Sequence, residues 1–271
     1  MKKLILGLLI TFSANGISQE ISYKTIKDIP YYETKIARND NYTAERCVLD
    51  VYYPENQKDF ATIIWFHGGG LTTGEKEIPD ALKNKRLCIV GVNYRLSPKV
   101  TAPAYIEDAA AAVTWVFRNI GKLGGDTTKI FVSGHSAGGY LTCMIGLDKS
   151  YLAMHGIDAN RIAGLIPFSA QAITHFTVRN EKEIKATQPV IDQYAPLWHV
   201  RTDAPPMLLI TGDRELEMLG RYEENAYLAR MMKVAGHTQT RLMELQGYDH
   251  GMTYPAFPLL LKEVERICRE R

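Results

Sequence analysis

The chain has 271 residues, with 32 Lys plus Arg against 30 Asp plus Glu and a formal net charge of +2. That near balance, with no basic run, excludes nucleic acid or an anionic membrane surface as the expected partner. An apolar content of 46% at this length suits one domain around a single sizeable core, and the sequence shows no internal repeat or low-complexity segment.

In chain order, Lys2 and Lys3 precede an apolar stretch from Leu4 to Phe12, followed by small and polar residues as far as Gln19 and Glu20. This is the pattern of a secretory signal peptide over residues 1–18, too short to span a membrane. It predicts export to the periplasm or the extracellular space, with no membrane span after its removal. Residues 19–271 then form one domain. An early strand is expected over 46–53, ended by Pro54, with further strands near 61, 87, 129, 162, 206 and 239. Helical stretches alternate with them near 106–120, 137–147, 222–235 and 256–270. Apolar strands separated by helices predict an α/β fold, with a mostly parallel central sheet and helices on both faces. The connection over 171–200 is long and irregular for a compact domain and is expected to be a small cap or pocket wall. Cys47, Cys88, Cys143 and Cys268 are far apart and lack metal-site spacing; Cys88 and Cys143, in apolar segments, are expected as buried thiols. No metal or organic cofactor is expected.

Gly134-His135-Ser136-Ala137-Gly138 carries the chemistry. The apolar, β-branched run Lys129 to Ser133 leads into it, and residues rich in small helix formers follow it. Strand, Gly-x-Ser-x-Gly, helix is the context of a nucleophile elbow, a turn so sharp that the positions two before and two after the serine must be small. A phosphate loop is the other glycine-rich turn between strand and helix. It requires Gly-Lys-Ser/Thr, where this chain has Gly138-Gly139-Tyr140.

A serine hydroxyl is a poor nucleophile and needs a base beside it. Among the seven histidines, His250 follows the last expected strand and has Gly251 beside it, which makes it the base candidate. His67 precedes the serine by a whole βαβ unit and reads as a loop-ordering residue. The acid that orients the base is expected beyond the strand Pro206 to Thr211, where Asp213 and Glu215 compete; Asp249 is a weaker third option. Donors for a developing oxyanion are offered by His67-Gly68-Gly69-Gly70, where three glycines leave backbone N–H groups unshielded.

With these residues in view, the chain resembles the hormone-sensitive-lipase-like and feruloyl/acetyl esterase branch of the α/β-hydrolases. The resemblance is carried by Trp65-Phe66-His67-Gly68-Gly69-Gly70, Asn93-Tyr94-Arg95-Leu96-Ser97-Pro98, Glu107-Asp108-Ala109-Ala110 before Trp115, Gly134 to Gly139, and Asp203-Ala204-Pro205-Pro206 through Ile210. It spans most of residues 45–268. It implies an α/β-hydrolase fold with a catalytic set Ser136, Glu215 and His250, the acid standing three residues beyond Gly212, with Asp213 as the alternative. One departure is that the family usually has Asp where Glu215 stands. The resemblance also implies an oxyanion hole from Gly68, Gly69 and Ala137. A pocket is expected from Leu71, Phe176, Tyr194 and Trp198. The expected function is that of an exported serine carboxylic-ester hydrolase acting on small-molecule or glycan-linked esters, through an acyl-enzyme. A prolyl-oligopeptidase-type peptidase and a catalytically silent binding protein on the same fold are the competing readings. The sequence does not give the oligomeric state.

Overall fold

The computed structural model describes residues 20–32 and 40–270; the expected signal peptide over 1–18 lies outside them. Eight strands form one sheet: β1 (Tyr23–Pro30), β2 (Val48–Pro54), β3 (Phe60–Phe66), β4 (Cys88–Val92), β5 (Gly125–His135), β6 (Gly164–Phe168), β7 (Met207–Gly212) and β8 (Thr240–Leu245). Their spatial order is β1-β2-β4-β3-β5-β6-β7-β8. From β4 to β8 all neighbours are parallel, while β2 runs antiparallel to both β4 and β1. The helices are α1 (Asn41–Arg46), α2 (Ala104–Leu123), α3 (Ala137–Leu147), α4 (Lys149–Ala153), α5 (Phe176–Glu181), α6 (Arg221–Val234) and α7 (Thr253–Glu270).

Every residue of β3, β4, β6 and β7 is buried, as expected for parallel strands covered on both faces. Alternation along β3 divides two cores: Ile64 and Phe66 point toward α2 and α3, Ile63 and Trp65 toward α7. On the second face Trp65 packs edge-on to Phe168 at 5.5 Å and against Phe257 of α7 at 5.2 Å. Helix α2 stops where Gly124 enters the left-handed region at φ 99° and returns its N–H to the Ile120 and Gly121 carbonyls. Cys47, Cys88 and Cys143 are buried free thiols, and burial pushes each of them up from the usual range.

The short helices α4 and α5 were not expected from the sequence, nor were β1 and α1. β1 is an edge strand reading Tyr-Lys-Thr-Ile-Lys-Asp-Ile-Pro, and its pairing with β2 shifts register between Ile26 and Ile29, around Asp28 at φ 53°. A bulge on a solvated edge removes the two-residue alternation that marks a strand. α1 is six residues long and held by its cap, Asp40, which accepts from the N–H groups of Tyr42 and Thr43.

Candidate active site

The nucleophile turn is shaped by what the glycines cannot carry. A Cβ on Gly138 would lie 2.0 Å from the Phe66 carbonyl oxygen, and one on Gly134 would lie 2.6 Å from both that oxygen and the Gly138 carbonyl carbon. Between them Ser136 is held at φ 56°, ψ −113°, a region a non-glycine residue occupies at a cost of about 1–3 kcal/mol. Its N–H donates to the Phe168 carbonyl at 2.8 Å, and its carbonyl accepts from Tyr140 N–H at 2.9 Å, which starts α3. β5 is thereby locked to β6 at the turn.

Strand β3 delivers the His-Gly-Gly-Gly loop beside that turn. A Cβ on Gly68 would lie 3.6 Å from Ser136 Cβ, so the loop backbone runs alongside the nucleophile. Gly69, at φ 100°, leaves no room for a side chain: a Cβ there would meet the Thr73 carbonyl oxygen at 2.1 Å. The loop is fixed from behind. Tyr94 donates its hydroxyl to the His67 carbonyl at 2.8 Å and stacks on the His67 ring at 4.4 Å. The next residue, Arg95, is anchored by buried Asp108 of α2 through Nε at 2.8 Å and Nη2 at 2.7 Å. This is the structural work of the Asn-Tyr-Arg and Glu-Asp-Ala-Ala stretches. Ala137 opens α3, whose first N–H groups have no carbonyl one turn back to receive them. Gly68 and Ala137 therefore border Ser136 together, and Gly69 follows Gly68 in the same loop.

His250, in the loop between β8 and α7, places Nε2 2.9 Å from Ser136 Oγ. Its Nδ1 lies 2.9 Å from a carboxylate oxygen, Oε2 of Glu217. The acid facing His250 is thus Glu217, and the expectation of Glu215 or Asp213 is corrected. The reason lies in the turn after β7. Asp213 accepts at Oδ1 from Glu215 N–H at 2.9 Å and at Oδ2 from Gly247 N–H at 2.8 Å, so its carboxylate is used locally. Its carbonyl accepts from Glu217 N–H at 2.8 Å. One helical turn then carries Glu217 back over the strand end and leaves Glu215 exposed. Asp249 similarly accepts from Gly251 N–H at 2.8 Å. An aspartate two residues ahead of an acidic candidate is an Asx-turn signal, and in Asp-Arg-Glu-Leu-Glu it could have moved the choice on to Glu217.

The Glu217 side chain is only 1% exposed. Its Oε1 accepts from Gly212 N–H at 3.0 Å and from the Ser169 hydroxyl. Burial alone would raise this carboxyl. The hydrogen bonds from His250, Ser169 and Gly212 outweigh it and hold the group at about 2. His135, the residue before the nucleophile, is lowered to about 4 by burial and by the neighbouring His250 ring, whose centroid is 4.7 Å away. Its Nε2 sits 2.7 Å from the His250 carbonyl, so neutral His135 can donate there and brace the base loop. Burial likewise lowers His67 to about 4.

The expected pocket residues separate. Phe176, first residue of α5, lies over the glycine loop: a Cβ on Gly70 would come 3.0 Å from its Cζ. Thr177 donates to the Gly70 carbonyl, so the 171–200 segment is tied to the loop. Leu71 is corrected to a core position, fully buried at φ 62°, its carbonyl accepting from Ser97 N–H at 2.8 Å. Tyr194 is half-buried, its carbonyl accepting from Tyr140 and its ring receiving Lys182 Nζ at 4.5 Å. Trp198 stands 62% exposed on the 3-10 turn Pro196–His199. The cavity bordering Gly68, His135 and Gly251 is instead walled by Trp65, Tyr254 and Phe257, with Glu77 and Asp80 at its side, and measures about 540 Å³. None of these five was expected as a pocket residue, although Trp65 was part of the motif leading into the glycine loop; Tyr254 and Phe257 come from the last helix. No cluster of three or more metal-ligating side chains occurs among the described residues, and no helix among them is long and apolar enough to cross a membrane.

A mostly parallel sheet with a serine elbow at the end of its fifth strand, and a histidine and a carboxylate delivered from later strands, defines an α/β-hydrolase. The chain belongs to the BD-FAE family, whose sequence model matches residues 49–218. It is 26% identical over 263 residues to esterase LipC of Mycobacterium tuberculosis, a match covering 81% of this chain and 62% of that protein. Carboxylesterase NlhH of the same species is 36% identical over 101 residues, 35% of this chain and 32% of the relative. The chain thus spans less than two thirds of the length of these relatives. Among solved structures, a truncated carbohydrate esterase from gut microbiota superimposes with a TM-score of 0.71 at 17% identity, covering 91% of this chain and 96% of the other. Thermogutta terrifontis esterase 2, phosphoramylated by tabun, gives 0.69 at 21% identity, covering 91% and 94%. These two likenesses establish the fold.

Proposed function

We propose that the protein is a serine carboxylic-ester hydrolase that works through an acyl-enzyme. The observation that carries this reading is the unbroken line from Ser136 Oγ to His250 Nε2 and from His250 Nδ1 to Glu217 Oε2, each step 2.9 Å. Ser136 attacks the ester carbonyl while His250 takes its proton through Nε2. Glu217 accepts the Nδ1 proton's hydrogen bond, which fixes the tautomer with Nε2 free and stabilises the imidazolium that forms. The N–H groups of Gly68, Gly69 and Ala137 receive the oxyanion, a contribution of about 3–4 kcal/mol for one donor. His250 then returns its proton to the leaving alcohol, and a water deprotonated by His250 frees the acid.

We read the substrate class from the cavity that borders Gly68 and His135, next to the nucleophile turn. Tyr254, 81% exposed, offers an apolar ring face above the buried Trp65 and Phe257, and the carboxylates of Asp80 and of Glu77, whose Oε1 already accepts from Trp65 Nε1, stand where hydroxyl groups would meet them. That combination supports an acyl group that is either small, such as acetyl, or aromatic, such as feruloyl, on a hydroxyl-rich alcohol such as a glycan. Export, supported by Lys2, Lys3 and the apolar run behind them, accords with such a substrate. Hydrolysis of p-nitrophenyl acetate and butyrate by the protein and by Ser136→Ala tests the reaction, with acetyl-xylan and methyl ferulate as the test of substrate class. Equal inertness of the two proteins, with Ser136 unlabelled by a fluorophosphonate, contradicts it and returns the chain to the silent binding class.

A further inference from the structure

We infer that Ser169 is the positioning residue of the acid limb: its hydroxyl occupies Glu217 Oε1, so that Oε2 alone is turned to His250, and Arg221 holds Ser169 in place. Ser169 stands one residue past the end of β6, fully buried and at φ 44°. A serine has no intrinsic preference for that left-handed conformation, and a neighbouring network maintains it. Its hydroxyl donates to Glu217 Oε1. Its N–H donates to the Ile210 carbonyl at 2.7 Å, and its carbonyl accepts from Arg221 Nη1 at 2.5 Å.

The residues on either side are bound as tightly. The Phe168 carbonyl receives the N–H of Ser136. The Ala170 carbonyl receives Asn225 Nδ2 at 2.7 Å, and that same amide donates to the Arg221 carbonyl at 2.8 Å. Three consecutive residues therefore touch the nucleophile through backbone and the acid through a side chain, and α6 clamps them from outside. Arg221 is fully buried, with Nε and Nη2 lacking hydrogen-bond partners. A guanidinium left partly unpaired in the interior is costly. Its one hydrogen bond from the guanidinium is spent on Ser169, and its charge lies near Glu217 and Glu224. A hydroxyl donor on a buried carboxylate also favours the ionised form, which agrees with the depressed range of Glu217.

The role depends on Glu217 orienting His250 for the proposed reaction, and the experiment separates the two. Ser169→Ala removes the hydroxyl. Ser169→Gly removes it too, but adopts φ 44° without strain and so keeps the backbone. In both variants kcat on p-nitrophenyl acetate is expected to fall about tenfold with KM within about twofold. At neutral pH the low-field proton resonance of His250 Nδ1–H, assigned by its loss in His250→Gln, is expected to move upfield or broaden. Ser169→Gly folding as well as wild type while showing both changes assigns the effect to the hydroxyl. Wild-type kcat with an unmoved low-field resonance in both variants overturns the inference. If the wild type hydrolyses no ester, the proposed function fails, and the Nδ1–H resonance alone then decides the role of Ser169.

Discussion

Around Ser136 the chain is fixed by contacts that leave no room for a side chain, while around Glu217 it is fixed by side chains in an otherwise exposed loop. Gly134 and Gly138 face each other and the Phe66 carbonyl at distances a Cβ would violate, and β3, β5 and β6 converge on one turn. Beyond β7, by contrast, Leu216, Met218 and Leu219 are exposed, Leu219 sits at φ 51°, and Glu217 alone turns inward. Backbone sterics thus govern the first region and hydrogen bonds to one carboxylate govern the second. Substitutions and pH should therefore act on the two in different ways.

The largest effect is expected from Gly138→Ala, whose Cβ would lie 2.0 Å from the Phe66 carbonyl oxygen. Forcing β3 from the elbow is predicted to abolish hydrolysis and to destabilise by about 3 kcal/mol, read from the urea midpoint and p-nitrophenyl acetate turnover. Unchanged activity would break the steric account of the nucleophile side. Next, Asp108→Ala strips Arg95 of its bidentate partner in a buried site, with an expected loss of about 3 kcal/mol. Turnover of the remaining folded enzyme should also fall, because Tyr94 and the His67 loop lose their anchor.

Acid separates the regions by range. His67 and His135 are held at about 4, and His175 well below its ordinary value of 6.5 by burial and by Arg221 and Arg179. The unfolded chain binds these protons first, so stability is full above about 6.5 and falls as pH drops toward 4. The slope is about 1.4 kcal/mol per pH unit for each histidine. Glu217, depressed from 4.5 to about 2, contributes stability that is present above 4.5 and lost as pH falls toward 2. Urea midpoints at pH 7, 6 and 5 check the histidine range. A flat profile there would mean that the rings are protonated or solvated in the folded state. The smallest effect is expected from Leu219→Ser, at an exposed position, a shift in the urea midpoint equivalent to no more than about 0.5 kcal/mol.

The same contrast explains what could be read in advance. Sterics write themselves into sequence as fixed spacings, so Gly134, Ser136 and Gly138 mark the elbow, and the run Phe60 to Phe66 followed by three glycines marks the loop beside it. The parallel strands were legible because both faces are apolar. His250 was legible as the histidine after the last strand. Glu217 was not, because a turn capped by Asp213 advances the useful carboxylate by two residues beyond Glu215, and no periodicity records that advance. Ser169 and Arg221 were also hidden: a buried hydroxyl and a buried guanidinium acquire meaning only once β6 and α6 are side by side. The pocket was least legible: Leu71 beside the glycine loop is buried in the core and Trp198 of the 171–200 connection is exposed, whereas the cavity next to Gly68 and His135 is lined by Tyr254 and Phe257 of the C-terminal helix.

The most direct measurement compares kcat of Glu217→Gln with that of Glu215→Gln on p-nitrophenyl acetate, both checked for wild-type folding. The neutral amide keeps the shape of Glu217 but can present a donor to Nδ1, so turnover is predicted to fall about 10⁴-fold, with Glu215→Gln within about twofold of wild type. A severe loss in Glu215→Gln alongside near-normal turnover in Glu217→Gln would contradict the arrangement of the acid limb.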